Sequence, residues 1–264
     1  MPNTALDPQH VAAIRDALAC ADPGTLAYLE VGARLDSVSA VHAEPGAVAW
    51  LSRHAAWNRP WIIAMAEDPL AGAACVQALV ERTGQPEGLT VERGTFPHLP
   101  AELRPVEHWE WDWWFTRQPP PRRPGEDDVI ALGTADPRVP ALLEVANPDA
   151  MARPGDPRIT GWWGIPVGTG PDPSANGPLV AVAAVTTKRP GIPHLGSVAT
   201  HPQWRGRGLS RDLCARLTRD ALSQGAPAVT LGMHAANRSA RAVYSSLGYQ
   251  VGYRWASGRL SRSP

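Results

Sequence analysis

Net charge is the first thing this 264-residue sequence lacks, with 25 Lys and Arg against 25 Asp and Glu. Without a cationic excess, the chain has no sequence-independent attraction to a phosphate backbone, which argues against a general nucleic-acid binder. Cysteine is scarce too. Cys20, Cys75 and Cys214 are odd in number and far apart, which excludes a disulfide framework and a CxxC metal site. No apolar run approaches the ~20 residues that would span a bilayer. The opening segment MPNTALDPQH has no cationic stretch leading into an apolar core, so no secretion signal is expected. Lysine is nearly missing: Lys188 is the only one, and every other basic residue is Arg. With abundant Ala, Pro and Gly, this reads as the coding bias of a G+C-rich genome, so single surface arginines carry no message. What remains is an expected cytoplasmic globule of 44% hydrophobic residues. At roughly 100–200 residues per domain, it is long enough for one large domain or two small ones, and needs no disulfide or metal to bury a core.

The sharpest composition break is Gln118-Pro119-Pro120-Pro121-Arg122-Arg123-Pro124-Gly125-Glu126-Asp127-Asp128. Its four prolines fix φ and remove backbone donors, so it reads as a stiff linker, 118–126, between domains 1–117 and 127–264. Before it, the spacing of Val11, Ile14 and Leu18 predicts a helix over 10–21. Short apolar runs predict strands over 46–51 and 61–66, with a helix over 70–82 ended by Gly84 and Pro86. Trp109, Trp111 and Trp113 alternate with Glu110, Asp112 and Trp114, which predicts a strand with one aromatic face, read as a core or interface wall. After the linker the pattern predicts a helix at 140–145 and strands at 158–165, 179–187 and 194–200. A long helix to 223, a strand at 229–234, a helix at 238–247 and a strand at 249–255 complete it. The Gly/Pro/Asp/Asn stretch 166–178 is too long for a tight hairpin. Trp162 and Trp163 read as core, and Cys214, mid-helix among apolar neighbours, as buried and inert.

Chemistry concentrates where a strand feeds Arg205-Gly206-Arg207-Gly208-Leu209-Ser210 and then a helix. The first turn of a helix has amides without internal acceptors, and the macrodipole adds about half a positive charge there. Glycines let such a backbone approach a phosphate closely. Two familiar versions are disfavoured: GxxxxGK[ST] is not met because the turn has no lysine, and GxGxxG with an acidic residue about 20 positions on is not met either.

Downstream lies Asn237, with Tyr244 seven residues on and then Leu247-Gly248-Tyr249. Together with Gln203-Trp204-Arg205-Gly206-Arg207-Gly208, which fits [QR]-x-x-G-x-[GA], this resembles the GNAT superfamily of coenzyme A-dependent N-acyltransferases. Thr200-His201-Pro202 stands where Val-x-Pro is usual. The resemblance covers 127–260, and 1–117 carries neither motif. The whole layout is similar to the glycine N-acyltransferase-like group, in which a degenerate half precedes an active one.

The resemblance implies an α/β fold with a mixed, mostly antiparallel sheet flanked by helices. It implies acetyl-CoA as co-substrate, no metal, and transfer to an amine. A small-molecule acceptor is expected, with a peptide or protein amine, or a non-catalytic acyl-CoA sensor, as alternatives. No nucleic-acid or membrane partner is implied, and the chain would be a monomer or homodimer. Val198, Ala199 and Thr200 would bind the pantetheine arm and polarise the thioester carbonyl. Gln203, Arg205, Gly206, Arg207, Gly208, Leu209, Ser210 and Arg211 would wrap the pyrophosphate. Asn237 would bond the pantetheine, and Tyr244 would protonate the departing thiolate. For the base, His194 is the first candidate, because six residues of regular strand put it on the face of Thr200; Glu144 and His234 follow. His201 is expected at the surface.

Overall fold

Asp-Pro pairs start the first helices of the chain. Asp7, Asp22 and Asp68 each accept a hydrogen bond from an amide of the following turn, and Pro8, Pro23 and Pro69 occupy the next position, where no donor is needed. The structure, a computed structural model, describes residues 7–54, 58–168 and 177–260. In chain order it runs α1 (Pro8–Ala17), α2 (Pro23–Ala27) with one π-helical turn (Tyr28–Gly32), β1 (Ala40–Glu44), β2 (Ala47–Arg53), β3 (Pro60–Ala66), α3 (Pro69–Thr83), β4 (Gly88–Glu92) and β5 (His108–Thr116). Then follow β6 (Ile130–Leu132), α4 (Arg138–Ala146), β7 (Ile159–Pro166), β8 (Leu179–Arg189), β9 (Ile192–Thr200), α5 (Leu209–Ser223), β10 (Val229–His234), α6 (Arg238–Ser246) and β11 (Gln250–Arg259). Part of the 166–178 stretch, 169–176, lies outside the described residues.

The chain divides into two units, and the division differs from the expected one. The first takes residues 7–113, 233–236 and 251–260; the second takes 114–232 and 237–250. The change falls at Trp113/Trp114, inside β5, ahead of the proline run. That run ends in a 3-10 turn, Pro124–Asp128, whose Glu126 is buried and paired with Arg219 of α5. The strand over 249–255, expected to finish the second domain, finishes the first.

In the first unit the strand order is β1-β2-β3-β4-β11. Neighbours are antiparallel except β3 and β4, which are parallel and joined by α3. Val76, Leu79 and Cys75 of α3 pack on Ala49, Ile62, Leu89 and Val91. On the face of β5 opposite the three alternating tryptophans, Asp112 is fully buried and paired with Arg93 at 2.6 Å. Trp113 is buried edge-on against Tyr28.

The second unit repeats this plan. Its order is β10-β9-β8-β7-β6, antiparallel except for β9 and β10, which are parallel and joined by α5. Val139, Leu142 and Leu143 of α4 pack on Trp162, Val182, Ala184 and Ala199, so Trp162 is core as expected. Thr200, one residue out of step with Ala199, hydrogen-bonds instead to Ser210 at the start of α5. The helices therefore cover opposite faces of the sheet.

Candidate functional site

The site is built around one irregularity in β9. Against β8, His194, Leu195 and Gly196 pair with Thr186, Val185 and Ala184, but Ala199 and Thr200 then pair with Val182 and Ala181. Three steps on β9 match two on β8, which is a β-bulge. Ser197 absorbs the extra residue with φ +49, a left-handed conformation that a non-glycine residue adopts at a cost. Its hydroxyl holds the turn by donating to the Ala152 carbonyl at 2.7 Å and accepting from the Ala152 amide at 3.2 Å. On the other edge, β9 pairs with β10 only at His194–Thr230 and Leu195–Leu231. Among the described residues, no strand follows Gly196 to Thr200 along that edge, so backbone groups there are available to a ligand. This bears on Val198 and Ala199, the expected carbonyl-polarising positions.

The bulge corrects the placing of His194. One inserted residue reverses strand parity, so His194 shares a face with Ala199 and not with Thr200. It is buried, and its Nδ1 lies 2.9 Å from the Thr230 hydroxyl. Glu144 is exposed on α4, and His234 is exposed at the end of β10, in the first unit. Neither is brought to β9 by any described hydrogen bond or ion pair.

After Thr200 the chain makes a 3-10 turn at Pro202–Trp204, capped by His201, and reaches α5 through Gly206 and Gly208. Both glycines have left-handed φ, +79 and +84, which only glycine takes freely. The amides of Trp204 and Arg205 bond back to His201 and Pro202, and those of Arg211 and Asp212 to Gly208. Between them, the amides of Gly206, Arg207, Gly208, Leu209 and Ser210 have no acceptor among the described residues. These five consecutive donors at the positive end of a 15-residue helix form a cradle, an arrangement that suits an anion. Thr200 Oγ1 and Ser210 Oγ, 2.6 Å apart, tie the strand end to the helix start and fix its shape.

The arginines divide their work. Arg205 donates to the carbonyls of Thr200 and Ala146, so it clamps the strand end to α4 while keeping its charge beside the cradle. Arg207 stacks over the Trp204 ring, 4.5 Å from its centroid. Arg211 has its backbone in the first turn and a buried Nε without a partner. Gln203 is exposed in the 3-10 turn. Two residues that no motif pointed to stand at the same place: Asp212, buried in the first turn, and Arg123, 2.6 Å from it. Their separation of 89 positions leaves no local spacing to read.

Asn237 caps α6 by accepting from the Ala240 amide at 3.0 Å, which leaves its side-chain NH2 as a donor. Tyr244, two turns on, is buried, with its ring 5.8 Å from that of Tyr249. Burial pushes the Tyr244 phenol well above its ordinary range, with the neighbouring Cys214 and Tyr249 adding to the shift. It is therefore a neutral proton donor, and its hydroxyl has no hydrogen-bond partner among the described residues. The Cys214 thiol, pushed up to about 12 by burial, stays protonated and inert as expected. No group of three or more His, Cys, Asp or Glu among the described residues could hold a metal ion, and no helix among them is long and apolar enough to cross a membrane.

A family model described as FR47-like protein matches residues 175–257. No curated protein compared with the chain matches it. Among solved structures, a GCN5-related N-acetyltransferase from Sphaerobacter thermophilus is similar at 17% identity and TM-score 0.59, with 98% of this chain and 96% of that one covered. A GNAT-family protein from Novosphingobium aromaticivorans gives 21%, TM-score 0.52 and coverages of 82% and 89%. A GCN5-related N-acetyltransferase-like protein from Streptococcus suis gives 12%, TM-score 0.51 and coverages of 97% and 100%. At these identities the likeness is one of fold, and it extends over both units in two of the three. The chain thus shares the fold of these GNAT-family structures, and the FR47-like match covers its C-terminal part.

Proposed function

We propose that the chain transfers an acyl group, acetyl first among the candidates, from its coenzyme A thioester to the amine of a small molecule. The observation that carries this reading is the succession along one stretch of chain of a bulged strand with an unpaired edge and five unpaired amides. The spacing suits a ligand with a diphosphate at one end and an amide-rich arm leading to a thioester at the other. The diphosphate would lie on the amides of 206–210, and the arm along Val198, Ala199 and the Asn237 side chain.

In the reaction, the amine lone pair attacks the thioester carbon and a C–N bond forms. Backbone N–H groups at the open edge of β9 stabilise the oxygen as it becomes negative. The C–S bond then breaks, and the leaving sulfur takes the proton of Tyr244, which is replenished from solvent. Placing His194 away from the Thr200 face removes the first candidate for the base. We therefore assign no side-chain base: the acceptor enters as the free amine, and its last proton leaves to water. A binding module without turnover is the second reading, favoured by the fact that no base is assigned among the described residues.

Calorimetry with CoA, followed by turnover of acetyl-CoA with a panel of amines, tests both readings. Binding with turnover is expected; binding without turnover of any amine would favour the sensor. In a pH series, kcat/KM should rise about tenfold per pH unit up to the pKa of the acceptor itself. A break near 6.5 would return a histidine to the reaction.

A further inference from the structure

The proline-rich stretch 118–128 continues directly into the cradle. Arg123 donates through Nε to Asp212 Oδ1 at 2.6 Å, and its backbone amide donates to Glu126 Oε1 at 2.7 Å. Glu126, only 2% exposed, is in turn held by Nε and Nη2 of Arg219 at 3.1 and 2.8 Å. Gly125 leaves room for this contact, since a Cβ there would lie 2.4 Å from Asp212 Oδ2 and would displace the carboxylate. Both the backbone and the side chain of Arg123 are thus fixed.

What that fixing leaves over is informative. The guanidinium has five N–H donors, and only Nε is engaged. Nη1 and Nη2 have no partner among the described residues, and the side chain is 30% exposed. Nη2 lies 3.5 Å from where a Cβ on Gly208 would be, beside one of the five unpaired amides. α5 is fastened to the same segment by the Glu126–Arg219 pair as well. Asp212 poses the converse question: a buried carboxylate in the first turn of α5 would repel an anion in the cradle unless its charge were cancelled.

Resting on the acyl-CoA reading above, we propose that Arg123 is a ligand of the coenzyme's diphosphate, presented by Asp212, and that this chain's binding set therefore includes a residue of the proline-rich segment. Asp212 neutralises Arg123 on one side and aims its remaining donors at the other. A guanidinium held this way loses little freedom when the phosphate arrives, and its planar fork matches phosphate oxygens.

The test uses the full chain and three probes: CoA, 3′-dephospho-CoA and pantetheine. Arg123→Gln should weaken the two diphosphate-bearing probes about tenfold to a hundredfold, and leave pantetheine unchanged. Arg123→Lys keeps a cation beside Asp212, and with it the fold, but loses the fork; it should weaken the same two probes about three- to tenfold with Tm unchanged. An equal loss on all three probes, or no loss, would make Arg123 a fastening only. A loss seen with CoA but not with 3′-dephospho-CoA would overturn the diphosphate assignment. If the unaltered chain binds none of the probes, the acyl-CoA reading itself falls.

Discussion

Tyr244 is legible in the sequence only through its companions. Alone it reads as an amphipathic ring under the last strand; seven residues after Asn237 and before Leu247-Gly248-Tyr249 it reads as a proton donor. In the structure the ring packs against Tyr249, and the phenol holds its proton well above its ordinary range because burial penalises the anion. Tyr244→Phe preserves the packing against Tyr249 and removes only the proton. We expect kcat to fall about a hundredfold or more with CoA affinity within twofold, read by steady-state kinetics and calorimetry. An unchanged kcat would end the acid assignment. Since the native phenol titrates well above 10, no alkaline loss of rate should come from its ionisation below that pH. His194 is the opposite case. Counting by twos gave it the face of Thr200, and only the bulge, which no residue type announces, reverses that.

At the scale of elements, the predicted α3, β8, β9, α5, β10 and α6 agree with the observed ones to within about two residues, because their periodicity is long or their stops are glycine and proline. β1, β4 and β6 went unread. Ile130–Leu132 is three residues long, and Ala40–Glu44 and Gly88–Glu92 are short and carry small or charged residues. Their strand state comes from pairing with distant partners, which local propensity does not encode. The same holds for the Ser197 bulge, which is fastened by a loop 45 residues away. Ser197→Ala would strip the Ala152 amide and carbonyl of their partner. We expect a loss of about 1–3 kcal/mol, seen as a fall in Tm at roughly 2–4 °C per kcal/mol. Ser197→Gly should lose less, because it also relieves the left-handed φ. If alanine leaves Tm unchanged, the Ser197–Ala152 contact does not hold the bulge.

At the scale of the whole molecule, both units lead a strand into a helix that returns to a parallel neighbour, yet the two junctions differ in what they offer an anion. In the first unit, β3 passes through Glu67 and Asp68 to α3. The Glu67 amide is given to Gly46, Pro69 has none, the Ala71 amide is taken by the Asp68 carboxylate, and the Gly72 amide by the Asp68 carbonyl. Two carboxylates stand where the second unit has glycines and arginines. We expect this junction to repel phosphate, the specific sense in which the N-terminal half would be degenerate. Titration of the full chain with CoA should give one equivalent bound; two would contradict this.

The placing of β11 against β4 also bears on synthesis. Residues 88–92 leave the ribosome early, while their partner, 250–259, emerges some 160 residues later. Until then Leu89 and Val91 belong to a sheet with a missing edge. The half made first is therefore the half that must wait, and a ribosome that stalls within the acyltransferase-like part strands it incomplete.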